Sequence, residues 1–235
     1  PRAFGDNFQK WGTSTILIES GGWKDDPEKQ FIRKLNFIAL LSAFKSIAEE
    51  SYINTGNDVY ESIPSNDKYI FDVILRNLTI KNRKENIKVD IGINLDEFEG
   101  PNEKKIYYKS QVDDLGDLST FYASRDYDFE GYTIERASVY EKKVFSVKDL
   151  NDFDFYKLYS KGYSTILVKK LPDEKFTKFL INFALKNKID TTINLGEPAN
   201  FILKKDGKID YVIINGFLQK IEKNRKYEGN GLVIK

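Results

Sequence analysis

The chain has 235 residues, with 37 Lys and Arg against 36 Asp and Glu, and a formal net charge of +1, so it carries no overall field for holding nucleic acid. Hydrophobic residues at 40% and aromatics at 14% suffice for a sizeable core, in one large domain or two small ones. Cys, His and Met are all absent, which excludes disulfides, thiol chemistry, Ser–His–Asp or Cys–His catalysis, and a zinc site held by this chain unaided.

Taken in order, Pro1–Gly12 reads as a loop or short helix, with Asp6 able to cap Asn7–Trp11 and Gly12 ending it. No signal-peptide pattern opens the chain, because PRAFGDNF has no basic stretch followed by an apolar one. Next comes GTSTILIESGGW. Thr15-Ile16-Leu17-Ile18 is expected to be a strand buried on both faces, with Glu19 at its carboxyl end and Ser20-Gly21-Gly22 turning the chain. Chemistry in open α/β sheets collects at the carboxyl ends of strands. Glu19 is therefore the candidate acid/base residue, set against the plainer reading of a solvated Glu ending an ordinary strand. A long helix is expected from Pro27 to about Glu50: Asp26 fits the N-cap and Pro27 the first helical position, and Phe31, Leu35, Ile38, Leu41 and Phe44 lie on its apolar arc.

Residues 53–68, rich in turn formers around Gly56 and Pro64, read as a linker between a first domain at 1–52 and a second at 69–235. Tyr69–Ile80 and Ile87–Leu95 form an expected antiparallel hairpin, followed by a strand at Ile106–Val112 and a turn at Asp113–Asp117. Phe121–Asp128 is ambiguous, and Glu130–Val147 gives one or two strands. A short helix is expected in Asp149–Gly162, a buried strand at Tyr163–Lys170, and a second helix over Pro172–Asn187. Phe201–Lys204, Ile209–Ile214 and Phe217–Ile221 are strands joined at Asp206-Gly207 and Asn215-Gly216, and Arg225–Lys235 is expected to be a tail. The fold class expected is thus an α/β segment, a strand plus a long helix of a mixed sheet, followed by an α+β, mainly antiparallel β domain.

Two stretches resemble known families. The run ILIESGGW followed by DPEKQFIRKLNFIALLSAF resembles the last strand and helix of zinc carboxypeptidase-like metallopeptidases. That resemblance implies that Glu19 is the general base beside a zinc-bound water, and that the zinc and its His and Glu ligands belong to an upstream catalytic half of a parent enzyme. It also implies a peptide substrate reached through that parent, and a secreted or periplasmic setting. The run LGEPANFILKKDGKIDYVIINGFLQKIE is similar to the small β-domain that accompanies amidohydrolases.

Other candidates are weaker. Asp113, Asp114 and Asp117, and Asp126, Asp128 and Glu130, are dense enough to consider Ca²⁺, but the former run lacks the EF-hand glycine and terminal Glu, and a solvated acidic loop is the plainer reading. Phe121, Tyr122, Tyr127, Phe129 and Tyr132 read as core or loop packing rather than a sugar platform. The basic clusters Lys81, Arg83, Lys84 and Lys220, Lys223, Arg225, Lys226 read as solvated faces. No apolar run approaches the roughly 18 residues of a membrane span. The functions in competition are the carboxyl-terminal portion of a metallocarboxypeptidase-like hydrolase, inactive alone; a non-catalytic β-rich binding or structural module; and a family member that has lost its metal.

Overall fold

The structure, a computed structural model, describes residues 3–26, 28–63, 69–81, 85–100, 105–144, 153–187 and 192–235. It divides into two units, Pro1–Ile70 and Phe71–Lys235.

The first unit is helical. Helix α1 (Phe4–Lys10) ends before Gly12, which takes φ +88°. Helix α2 (Gln30–Ala48) begins later than expected, and Pro27 falls outside the described residues. Its cap is Asp26, whose carboxylate accepts the N–H groups of Gln30 at 2.8 Å, Phe31 at 2.8 Å and Ile32 at 3.4 Å. These donors have no partner inside a helix, so one carboxylate satisfies the whole first turn. Ile32 is the buried residue of α2; Phe37 and Phe44 are 67% and 64% exposed. A 3-10 turn at Ser51–Asn54 and a single-turn helix, α3 (Asp58–Glu61), complete the unit.

The strand expected at Thr15–Ile18 is not formed. Residues 13–23 are irregular, and Leu17 is 80% exposed. A strand needs a neighbour for its backbone N–H and C=O groups, and among the described residues none pairs with this run. The segment is tied to α2 instead: Asn36 donates to Ser20 Oγ at 2.7 Å, and the Trp23 and Phe31 rings meet at 4.7 Å. The α/β expectation for the first domain is corrected to helices, with no sheet among its described residues.

The second unit is β-rich and mixed. Strands β1 (Ile70–Lys81), β2 (Asn86–Glu99) and β3 (Ile106–Gly116) pair antiparallel in sequence. A bulge between Leu75 and Leu78 puts Asn77 at φ +57°. β3 continues through Asp113 and Asp114, where a turn was expected. Strand β4 (Tyr122–Asp128) pairs with β1. Strand β5 (Thr133–Arg136) runs parallel to the end of β1 and antiparallel to β10 (Phe201–Lys205). Strands β11 (Lys208–Ile214) and β12 (Phe217–Lys220) follow through Asp206-Gly207 and Asn215-Gly216. All four of these turn residues have positive φ, between +49° and +79°, as two-residue hairpins of the right twist require. The first sheet has the order β12-β11-β10-β5-β1-β2-β3, with β4 on β1.

The second sheet has β6 (Ser138–Val144), β7 (Tyr163–Val168), β8 (Phe176–Thr177), β9 (Asn182–Ala184) and β13 (Gly231–Ile234), in the order β6-β7-β9-β13-β8. Only the β13–β8 pair is antiparallel here, so the expectation of a mainly antiparallel domain holds for one sheet and not for the other. Helix α4 (Phe155–Ser160) crosses over to β7; the Asp154 side chain caps it, and Gly162 at φ +80° releases the chain. The expected start of this helix near Asp149 lies outside the described residues.

Two expectations are corrected in this sheet. The helix expected over Pro172–Asn187 is instead the pair β8 and β9. Leu180 through Ala184 are buried without a break, which suits a strand covered on both faces and not a helix with one apolar stripe. The expected tail contains β13, which pairs with β9 at Val233↔Phe183. A Cβ on Gly231 would stand 1.9 Å from the Ile181 carbonyl oxygen, so this approach admits only glycine.

Two cores result. One gathers Val73, Leu75, Ile91, Ile93, Val112, Phe201 and Ile213 from the strands of the first sheet. The other places Ile202, Val212 and Ile214 against Ile166, Phe183 and Leu158 of the second sheet and α4. Alternate residues of β10 and β11 therefore serve different cores, which explains their unbroken apolar runs.

Candidate functional site

Four buried asparagines, Asn182, Asn200, Asn215 and Asn230, link the two sheets. Asn182 Nδ2 donates to Asn200 Oδ1 at 2.8 Å, and Asn182 Oδ1 accepts the Leu232 N–H at 2.8 Å. Asn200 Oδ1 also accepts the Asn215 N–H at 2.9 Å. Asn215 sits left-handed at φ +49°, a conformation Asn tolerates, and aims its amide at the edge of β3. There it accepts the Ser110 N–H at 2.8 Å and donates to the Tyr108 carbonyl at 2.7 Å. Asn230 accepts the Tyr108 N–H at 2.9 Å and donates back to its carbonyl at 2.9 Å. An amide side chain offers the same donor and acceptor as a peptide unit, so the two residues replace a missing neighbour strand. Further along, Val112 exchanges hydrogen bonds with Glu197 and Gly196.

Beside this relay lies an open cleft of about 530 Å³ between the start of β3, β12 and the approach to β13. Tyr108, Tyr127, Phe217 and Tyr227 line it, and Lys105, Arg125, Lys178 and Lys226 stand around its mouth. None of these four cations makes an ion pair among the described residues, and Glu228 is the one carboxylate in the lining. Tyr108 meets Phe217 edge-on at 5.8 Å, and Lys178 lies 5.1 Å from the Phe179 ring centre. Burial, and then the Glu97 charge, push the Tyr108 phenol above its ordinary value against the pull of Arg125; burial does the same for Tyr227. Both phenols stay protonated at neutral pH. The cleft thus offers positive charge, ring edges and neutral hydroxyls.

A second cavity, of about 470 Å³, shares Lys178, Lys226 and Tyr227 with the first. Its own walls include Phe155, Tyr156 and Phe179, with Lys223 at 5.9 Å from the Tyr156 ring centre. Of its other charged walls, Arg225 pairs with Glu222 at 3.3 Å, and Asp154 pairs with Lys157 at 3.3 Å.

The residues singled out in the sequence are placed elsewhere. Glu19 stands exposed on the irregular segment of the first unit, not at a strand mouth. Asp126 is taken by Arg76, which donates to both of its oxygens at 2.7–3.0 Å and to the Leu118 and Phe121 carbonyls. Asp128 accepts from Asn77 and from the Glu130 N–H, and Glu130 pairs with Lys88 at 2.7 Å. Asp113 accepts from Asn94, Asp114 from the Leu115 N–H, and Asp117 from the Ser119 N–H. These carboxylates are spent on turns and ladders. Among the described residues no group of three or more potential ligands could hold a metal ion, and the donor set does not fit zinc. No helix of the described chain is long and apolar enough to cross a membrane. Of the aromatics considered for stacking, Tyr127 reaches the cleft, whereas Phe129 and Tyr132 pack edge-on with Tyr211. Arg125, Lys178 and Tyr227 were not foreseen. The signal for the last was Asn230-Gly231 followed by Leu-Val-Ile, a turn dipeptide before an apolar run, inside the presumed tail.

No family model matches the chain, and no curated protein matches it. Solved structures that resemble part of it include N-acyl-D-glutamate deacylase from Bordetella bronchiseptica, complexed with zinc and a phosphonate inhibitor, at a TM-score of 0.31 and 14% identity over 43% of this chain and 19% of that one. D-aminoacylase, described with a binuclear metal centre, matches at a TM-score of 0.31 and 20% identity over 43% of this chain and 19% of that one. A D-aminoacylase variant in complex with copper chloride matches at 0.31 and 21% identity, over 42% of this chain and 18% of the other. The chain spans less than a fifth of each of these proteins. These are deacylases and not carboxypeptidases, so the expectation of a zinc carboxypeptidase-like peptidase is corrected, together with the protease reading drawn from it. Likenesses of this extent bring neither an activity nor a metal to the chain.

Proposed function

We propose that this chain acts as a non-catalytic binding module whose β-rich unit presents the cationic, aromatic cleft to an anionic partner. One observation carries the reading: Lys105, Arg125, Lys178 and Lys226 converge on one cleft and make no ion pair among the described residues, in a chain of net charge +1. Uncompensated charge of one sign in a concave, partly apolar site attracts its opposite and sets partner choice. The titrating groups favour binding over proton transfer. The carboxylates whose pKa is displaced in this unit, Asp117, Asp128, Asp154 and Glu222, are held below the usual range by hydrogen bonds and by Lys220, so they stay ionised at neutral pH. Retention of the full chain on immobilised dextran sulfate tests the reading. Elution should move to clearly lower salt in the Arg125→Ala/Lys226→Ala variant. Unchanged elution, or turnover of peptide or N-acyl amino acid substrates by the purified chain, overturns it.

A further inference from the structure

We propose, resting on that binding reading, that the two adjoining cavities form one groove for a linear acidic carbohydrate, a polymer carrying uronate-type carboxylates. The cavities share Lys178, Lys226 and Tyr227, so the surface they offer is longer than a single small anion would fill. Arg125, which makes no ion pair among the described residues, lines the first cavity alone, Lys178 and Lys226 line both, and Arg225 of the second is paired with Glu222. A chain bound along both places carboxylates against Arg125 and Lys226 and apolar sugar faces against Tyr156 and Phe155. Aromatic rings suit this ligand because they supply contact area at low cost in side-chain entropy. An acidic peptide adding as a strand would need an open sheet edge, and the edge of β3 from Tyr108 to Val112 is already capped by Asn230, Asn215 and the Glu197 carbonyl. A nucleic acid would meet a chain with no net basic field.

The test is calorimetric titration of the full chain with galacturonate dimer and hexamer, neutral cellohexaose, hexaglutamate and a thymidylate oligomer. The hexamer should bind about tenfold or more tighter than the dimer, because the second cavity is engaged intramolecularly. Arg125→Ala/Lys226→Ala should weaken the hexamer roughly tenfold, as expected at the upper end for two exposed ion pairs. Tyr156→Ala should weaken the hexamer and leave the dimer unchanged. Cellohexaose should not compete. Circular dichroism confirms that these surface variants are folded. Equal affinity for dimer and hexamer, or tighter binding of hexaglutamate or thymidylate, overturns the inference. If dextran sulfate retention still falls in the double variant while no galacturonate binds, the binding reading stands and the carbohydrate assignment fails. If neither binds, both fail.

Discussion

Replacing Asn215 by Ala removes the amide through which the second sheet reaches the edge of β3. The Ser110 N–H and the Asn230 carbonyl lose their partners, while the Tyr108 carbonyl keeps Asn230 Nδ2 at 2.9 Å. Two buried polar groups left unsatisfied cost about 1–3 kcal/mol each. Alanine at φ +49° adds about 1–2 kcal/mol. The expected loss is therefore roughly 3–8 kcal/mol, against a total stability of about 5–15 kcal/mol for an ordinary domain. Asn215→Gly exposes the same two groups without the backbone cost, so it should lose about 1–2 kcal/mol less than the alanine variant. Urea unfolding followed by far-UV circular dichroism measures both variants. Tryptophan emission does not, since Trp11 and Trp23 both belong to the first unit. An alanine variant within about 1 kcal/mol of wild type, or glycine and alanine variants of equal stability, refutes the assignment of these bonds as structural.

Arg76→Ala strands Asp126 and Asp90 beside the bulge, and should cost about 2–4 kcal/mol in urea titration, less than a fully buried pair because a fifth of the Arg76 side chain is exposed. Arg76→Lys should recover less than half, because one ammonium cannot serve Asp126 and the Leu118 and Phe121 carbonyls at once. The Tyr159 phenol is buried, donates to the Leu180 carbonyl and is pushed far up by burial, so its contribution is present below the ordinary tyrosine range and lost as pH rises above it. Tyr159→Phe should cost about 1 kcal/mol at neutral pH yet show a flatter alkaline decline in thermal scans. Asp154 is held low, first by the Lys157 N–H, so its contribution is present above the usual carboxylate range and lost as pH falls below it. Asp154→Asn should cap α4 nearly as well at neutral pH and flatten the acid limb of the same scans.

The parts of the fold legible in sequence were those decided locally. The β1–β2 hairpin alternates, and the Asp206-Gly207 and Asn215-Gly216 turns demand left-handed residues that these dipeptides supply. Asp26 was recognisable as a helix cap, although the helix it serves starts at Gln30. What misled was context. Phe176, Phe179, Leu180 and Phe183 have helical spacing, but the partner that puts Phe176 and Phe183 in strands is β13, some fifty residues later. Thr15–Ile18 has the composition of a buried strand and no neighbour to bury it. The candidate cleft was the least legible part. Its residues come from β3, β4, β12 and the segment before β13, and no local pattern marks Arg125 and Lys226 as facing one space.

The way β3 is finished has a consequence for how molecules of this protein meet one another. An uncovered edge is a template on which a second chain can add a strand and begin to aggregate, and many proteins guard it with lysines, whose repulsion weakens in salt. Asn215 and Asn230 guard by occupancy. Their amides neither titrate nor respond to ionic strength, so the protection at Tyr108–Ser110 persists in acid and in brine until the sheet itself opens.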